Sequence, residues 1–194
     1  MKFNFKKGDH YPVEWWKLRA LSLSSTLEYR ASISALAHYT PGTENDINKL
    51  FGYSLNLRYG EYEGGKAKGL LDSIRVGWTP HAKHEFYEVH LYVRNNGALH
   101  YYTAPRCFMY GVDYSFAIGL FPKVDEVKKE VSYQPFLYYA KCGGLPTAYH
   151  NPGFLGADAS FSSGKSIGLK LRPHHGGDEP SQKGYSVKLK RVVC

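Results

Sequence analysis

The sequence has only three cysteines, Cys107, Cys142 and Cys194, in 194 residues. An odd, widely spaced set makes no disulfide framework, and no two stand close enough to form the paired half of a zinc site. They read as reduced, mostly buried thiols. No stretch approaches the ~18 apolar residues of a membrane-spanning helix. Met1 to His10 lacks the apolar run of a secretory signal, and no Asn-x-Ser/Thr sequon occurs. These absences lead to the expectation of a protein made and kept in a reducing cytosol. Catalytic signatures are missing too. There is no G-x-S-x-G nucleophile elbow. Gly164-Lys165-Ser166 lacks the glycine that a phosphate loop requires five positions earlier, where Ala159 stands, and alternating Ile167, Leu169 and Leu171 follow it instead of a helix. His81-x-x-His84 and His174-His175 have no Cys or second ligand pair nearby in sequence and read as surface histidines, so no metal and no cofactor is expected. A glycosidase pair could be drawn from Glu61, Glu63, Asp72, Glu85 and Glu88, but no spacing singles out two of them.

What is present is aromatic and glycine-rich. Seventeen Tyr, ten Phe and twenty Gly beside two Met lean the composition towards β structure. Charged residues make up 22%, close to the globular average of ~25%, which excludes wholesale disorder. The length suits one domain, 1–194. The net charge of +8 is unevenly placed. Residues 1–20 carry five Lys/Arg against two Asp/Glu, residues 165–194 carry seven against two, and the middle carries thirteen of each. A neutral body with basic ends does not give the continuous basic face of a nucleic-acid binder. An acidic protein surface is the better match for such ends.

Period-two alternation dominates the chain. Ile74, Val76 and Trp78 share a face. Tyr87, Val89, Leu91 and Val93 share another, with Glu88, His90, Tyr92 and Arg94 opposite. Asn95-Asn96-Gly97 then supplies the positive φ angles of a tight hairpin, and Leu99 to Ala104 is its return strand. Tyr114 to Leu120, Ile167 to Leu171 and Val187 with Leu189 alternate likewise, and 18–27, 30–37, 53–58 and 134–140 read as further strands. Residues 124–131 read as a turn or strand entry. One helix is expected, Thr43 to Gly52, from its capping residue, acidic first turn, terminal Gly and the i, i+3, i+4 spacing of Ile47, Leu50 and Phe51. About ten short strands between Gly/Pro turns predict an all-β sandwich or jelly roll with that one short helix, and long loops at 60–69, 142–165 and 173–184.

Three segments carry a resemblance. They are Asn45-Asp46-Ile47-Asn48-Lys49-Leu50-Phe51-Gly52-Tyr53-Ser54, then Ser73-Ile74-Arg75-Val76-Gly77-Trp78 with Tyr92-Val93-Arg94-Asn95-Asn96-Gly97, and last Gly143-Gly144-Leu145-Pro146-Thr147-Ala148-Tyr149-His150. In that order they resemble a family of uncharacterised β-sandwich proteins of gut Bacteroidota and their phages. The family's paired histidines are replaced here by the 60–69 loop, and its late His-Asp pair is lost, since Asn151 follows His150. The resemblance implies a sandwich fold and a phage or gut-bacterial setting.

The reading that follows is a non-enzymatic structural or adaptor component of a larger assembly, most plausibly a phage virion assembled in the host cytoplasm. Its expected partners are acidic subunits, met through Trp15, Trp16, Lys6, Lys7, Lys17, Lys188, Lys190 and Arg191. Neighbours in an extended segment point to opposite sides, so one of Trp15 and Trp16 must face outward. The alternative is a carbohydrate-binding or carbohydrate-cleaving jelly roll. Its sugar-stacking residues would be Tyr59, Tyr62, Tyr101, Tyr102 and Tyr149, because such rings offer a large flat area at low entropy cost.

Overall fold

A computed structural model describes residues 1–10, 26–37, 39, 47–63, 65, 68–81, 83–142, 152–162, 170–171, 173–175 and 184–191. In chain order its strands are β1 (Lys2–Phe5), β2 (Thr26–Ile33), β3 (Asn48–Ser54), β4 (Tyr59–Glu61), β5 (Lys68–Leu70), β6 (Ser73–Pro80), β7 (Phe86–Asn95), β8 (Ala98–Met109), β9 (Tyr114–Asp125), β10 (Glu130–Lys141), β11 (Gly153–Gly156), β12 (Lys170–Leu171) and β13 (Tyr185–Arg191). A short 3-10 turn, Ala35–Ala37, follows β2. A six-stranded sheet runs β1-β13-β2-β9-β10-β11, a five-stranded sheet runs β12-β3-β6-β7-β8, and β4 with β5 forms a separate hairpin. Every pairing is antiparallel.

The alternating residues do what their period dictates: one set fills the space between the sheets and the other faces outward. Val76, Leu91 and Val89 of the five-stranded sheet meet Phe116, Ile118 and Leu27 of the other in one core. Aromatic rings bridge the layers. Phe108 on β8 lies 5.6 Å from Phe116 and 5.3 Å from Tyr139, the latter edge-on. Tyr29 meets Phe51 at 4.8 Å, and Trp78 meets Tyr185 edge-on at 6.0 Å. Tilted and edge-on pairs of this kind add ~0.5–1.5 kcal/mol each beyond their buried area. The all-β sandwich read from the sequence is therefore the observed architecture.

The expected helix is corrected. Residues 48–54 form β3, and residues 43–46 lie outside the described residues. A bulge between Lys49 and Phe51 explains the misleading pattern. An extra residue in one strand lets two neighbours face the same way. Leu50 and Phe51 thus both enter the core, which produces a helix-like spacing without a helix. Two expected strands, 18–27 and 30–37, resolve into the single strand β2, and residues 18–25 lie outside the described residues. The 60–69 loop is largely the β4–β5 hairpin, and the 142–165 loop contains β11. The Asn96-Gly97 hairpin is as expected, with φ of 50° and 85°. The 124–131 segment is the turn joining β9 to β10. Among the described residues no helix is long and apolar enough to cross a membrane.

Candidate functional site

The outward face of the five-stranded sheet is polar, and its composition follows from register. Across one row, Lys49 on β3 faces Gly77 on β6, which faces His90 on β7, which faces Thr103 on β8. The next row sets Gly52, Arg75, Tyr92 and Tyr101 side by side. A third places Ser73 beside Arg94, and a fourth Thr79, Glu88 and Cys107. Three cations and two tyrosines from four strands are thereby gathered onto one surface.

The aromatic and cationic groups interlock. Lys49 Nζ stands 5.1 Å from the centroid of the Tyr92 ring. The Arg94 guanidinium lies over Tyr62 at 3.9 Å, and its Nε–H donates to the Tyr92 hydroxyl at 3.1 Å. Tyr62 reaches the face from the segment after β4, and its hydroxyl packs where a side chain on Gly69 would stand: a Cβ there would meet it at 1.9 Å. Gly52 makes similar room for Arg75, since a Cβ would fall 2.6 Å from Arg75 Cγ. Asp72 secures this end. It is buried, accepts from the Asn96 backbone N–H and from Asn56 Nδ2 at 2.7 Å each, and lies 3.6 Å from Arg58. Arg94 Nη1 closes the same hairpin by donating to Gly97 O at 2.7 Å.

His90 forms the floor of the face. Its Nε2 lies 2.8 Å from Thr79 Oγ1 and its Nδ1 3.0 Å from Thr103 Oγ1. A neutral imidazole has one donor and one acceptor nitrogen, which two hydroxyls can satisfy together. Burial pushes its pKa down to about 4. Tyr101 stands edge-on to it with ring centroids 5.9 Å apart. At the β3 edge, His174 exchanges backbone hydrogen bonds with Lys49. Burial first, then the charges of Lys49 and Arg75, depress its pKa to about 2. The charges of Lys49 and Arg75 make this edge of the face electropositive.

The sequence-derived candidates divide. Tyr62 and Tyr101 are on this face. Tyr102 points to the other side, packed against the core, with its hydroxyl accepting from Asp158 N–H at 3.1 Å. Tyr59 is exposed on the β4–β5 hairpin, and Tyr149 lies outside the described residues. Lys6, Lys7, Lys188, Lys190 and Arg191 are exposed, while Trp15, Trp16 and Lys17 lie outside the described residues. The basic ends meet each other, because β1 pairs with β13, with Lys2 opposite Lys188. Lys49, Arg75, Tyr92, Arg94 and His90 were missed as a site. The alternation of Glu88, His90, Tyr92 and Arg94 was the available signal, and it showed a shared face without showing what the neighbouring strands add to it.

No protein-family model matches this chain, and no curated protein sequence does. Among solved structures, the chain is similar to the alginate lyase from Klebsiella pneumoniae, at 14% identity, over 87% of this chain and 59% of that one, with a TM-score of 0.47. The chain thus spans less than two thirds of that protein's length. A likeness at this level carries no argument about a reaction. The expectation of a virion component is corrected at this point: the similar structure is named as a lyase, which stands with the carbohydrate alternative and not with a phage structural role.

Proposed function

We propose that this chain binds an acidic polysaccharide across the outer face of its five-stranded sheet and cleaves it by β-elimination. The observation that carries the reading is the register that brings Lys49, Arg75 and Arg94 together with Tyr92 and Tyr101, with Tyr62 folded over them. Sugar rings stack on aromatic faces, and carboxylates pair with guanidinium and ammonium groups. A chain of uronate sugars needs both along one strip.

The chemistry fits the groups available. Glu88 is the one carboxylate in the five strands of this sheet, against the three cations of its outer face, a balance that suits elimination better than the two flanking carboxylates of glycoside hydrolysis. Elimination needs different parts. A cation at the uronate carboxylate stabilises the charge that develops when the adjacent C5–H is removed. The C5 proton goes to a base, the C4–O bond breaks with formation of a C4–C5 double bond, and the departing oxygen takes up a proton. Tyr101 is the exposed hydroxyl on this face and can do both, giving its proton to the departing oxygen and taking up the C5 proton in its place, while Tyr92 holds Arg94 by accepting from its Nε–H.

Incubation of the purified chain with polymers of mannuronate, guluronate and galacturonate tests this. Ultraviolet absorbance from the new double bond should rise with one of them and fall strongly in Arg94→Ala and Tyr92→Phe variants of unchanged folding. Products lacking the double bond, or activity untouched by both substitutions, would remove the proposal.

A further inference from the structure

Two residues beyond His90, the same face ends in a cluster of a different kind. The β7–β8 register sets Glu88 directly opposite Cys107, and the β6–β7 turn brings His81 over both. The turn is closed by the His81 backbone N–H donating to Phe86 O at 3.1 Å. The donor atoms of His81, Glu88 and Cys107 all lie within 4.8 Å of one another. Cys107 is exposed and the other two are partly so, which leaves the cluster open to solvent.

We propose that His81, Glu88 and Cys107 bind a zinc-like divalent cation as three protein ligands, with a fourth position open to water. An imidazole, a thiolate and a carboxylate are the ligand types that zinc takes, and three of them with one open position is its reactive arrangement. Bond lengths of ~2.0–2.3 Å place tetrahedral ligands roughly 3.5 Å apart, so the three side chains need close by only about an ångström. Rotation of exposed side chains on otherwise fixed strands supplies that movement. A dication seated between Glu88 and Cys107 favours the thiolate that ligates it, so binding releases a proton.

The site has a built-in consequence for its own turn. His81 Nδ1 accepts a hydrogen bond from the Lys83 backbone N–H at 3.1 Å. If Nδ1 ligates the metal, its lone pair is used. If Nε2 ligates, the ring proton moves to Nδ1, which can no longer accept. Either way the Lys83 N–H is released, so metal binding loosens the chain at Lys83. This site uses none of the glycan-facing cations and stands or falls apart from the lyase reading.

Titration of the full chain with Co²⁺ tests it, because a cobalt–thiolate bond gives a charge-transfer absorption that oxygen and nitrogen ligands do not. The band should saturate, persist in a Cys142→Ser, Cys194→Ser double variant, and vanish in Cys107→Ser. His81→Gln and Glu88→Gln should weaken binding by more than about tenfold, the loss that even outer partners of metal ligands produce. Zn²⁺ should displace the band, and amide exchange at Lys83 should speed up on loading. Absence of the band in natively folded protein overturns the proposal, as does a band that survives Cys107→Ser or disappears in the double variant.

Discussion

The Arg94 guanidinium lies over the Tyr62 ring, 3.9 Å from its centroid. Arg94 comes from β7 of the five-stranded sheet and Tyr62 from the connection that follows β4 in the separate hairpin. The contact pins the hairpin against the outer face and holds the guanidinium where a carboxylate can reach its free edge. A stacked arginine keeps its in-plane donors, so one group serves both purposes. Tyr62→Phe should keep polyuronate affinity, since the ring and not the hydroxyl makes the contact. Tyr62→Leu should lose roughly 1 kcal/mol, about fivefold in Kd. Calorimetric titration with an oligouronate measures both, and equal affinity for the two variants would refute this.

Gly69→Ala separates site from fold. The new Cβ would fall 1.9 Å from the Tyr62 hydroxyl, the far end of a side chain that can swing away. The melting temperature should change little while affinity falls as in Tyr62→Leu. A large loss of stability with full binding by the remaining folded protein would contradict this.

Tyr87 is fully buried beside Trp78, Phe108 and Tyr110, and among the described residues its hydroxyl has no hydrogen-bond partner. A buried unsatisfied hydroxyl costs about 1–3 kcal/mol. Tyr87→Phe should raise stability by about 1 kcal/mol, roughly 2–4 °C in Tm for a chain of this size. A lowered Tm would mean that the hydroxyl is satisfied.

Acid should destabilise the fold through its buried imidazoles. Folded His90 stays neutral down to about pH 4, whereas an unfolded histidine titrates near 6.5. Above about pH 6.5 neither state binds this proton, and stability is flat with respect to it. Between those values the unfolded chain binds more protons, so stability falls as pH falls. Below about pH 4 the loss levels off, near 3 kcal/mol for this group. His175, lowered to about 4 chiefly by burial, acts in the same direction. Urea midpoints measured across this range should show the slope, and His90→Gln should flatten it. An unchanged slope in that variant would exclude His90 as a source.

Leu50 is fully buried at the β3 bulge. Leu50→Ala should cost about 2–5 kcal/mol, the range for deleting a core leucine. An unchanged denaturation midpoint would show that the bulge repacks freely.

Much of the sandwich was legible because its strands obey one rule. Ile74, Val76 and Trp78 alternate, and so do Tyr87 to Val93, and each set enters the core. Reading failed where a local irregularity breaks that rule. The bulge at Leu50 put two neighbours on one face and imitated a helix. The site was illegible for a different reason. Lys49, Arg75 and Arg94 stand far apart in sequence, and only strand register, set by pairings that no single strand encodes, brings them together. The His81–Glu88–Cys107 cluster was hidden similarly. His81 was weighed with its sequence neighbour His84, whereas its companions lie across a turn and a second hairpin.

The position of β13 has a consequence for biosynthesis. This strand lies between β1 and β2, and among the described residues β1 has no other partner in its sheet. β1 therefore waits for Tyr185–Arg191 before it can join this sheet, and β2 lacks its β13 neighbour until then. Closure of the six-stranded sheet in this sense depends on Tyr185–Arg191, and a nascent chain stalled short of residue 185 would offer that edge of β2 to chaperones or to another copy of itself.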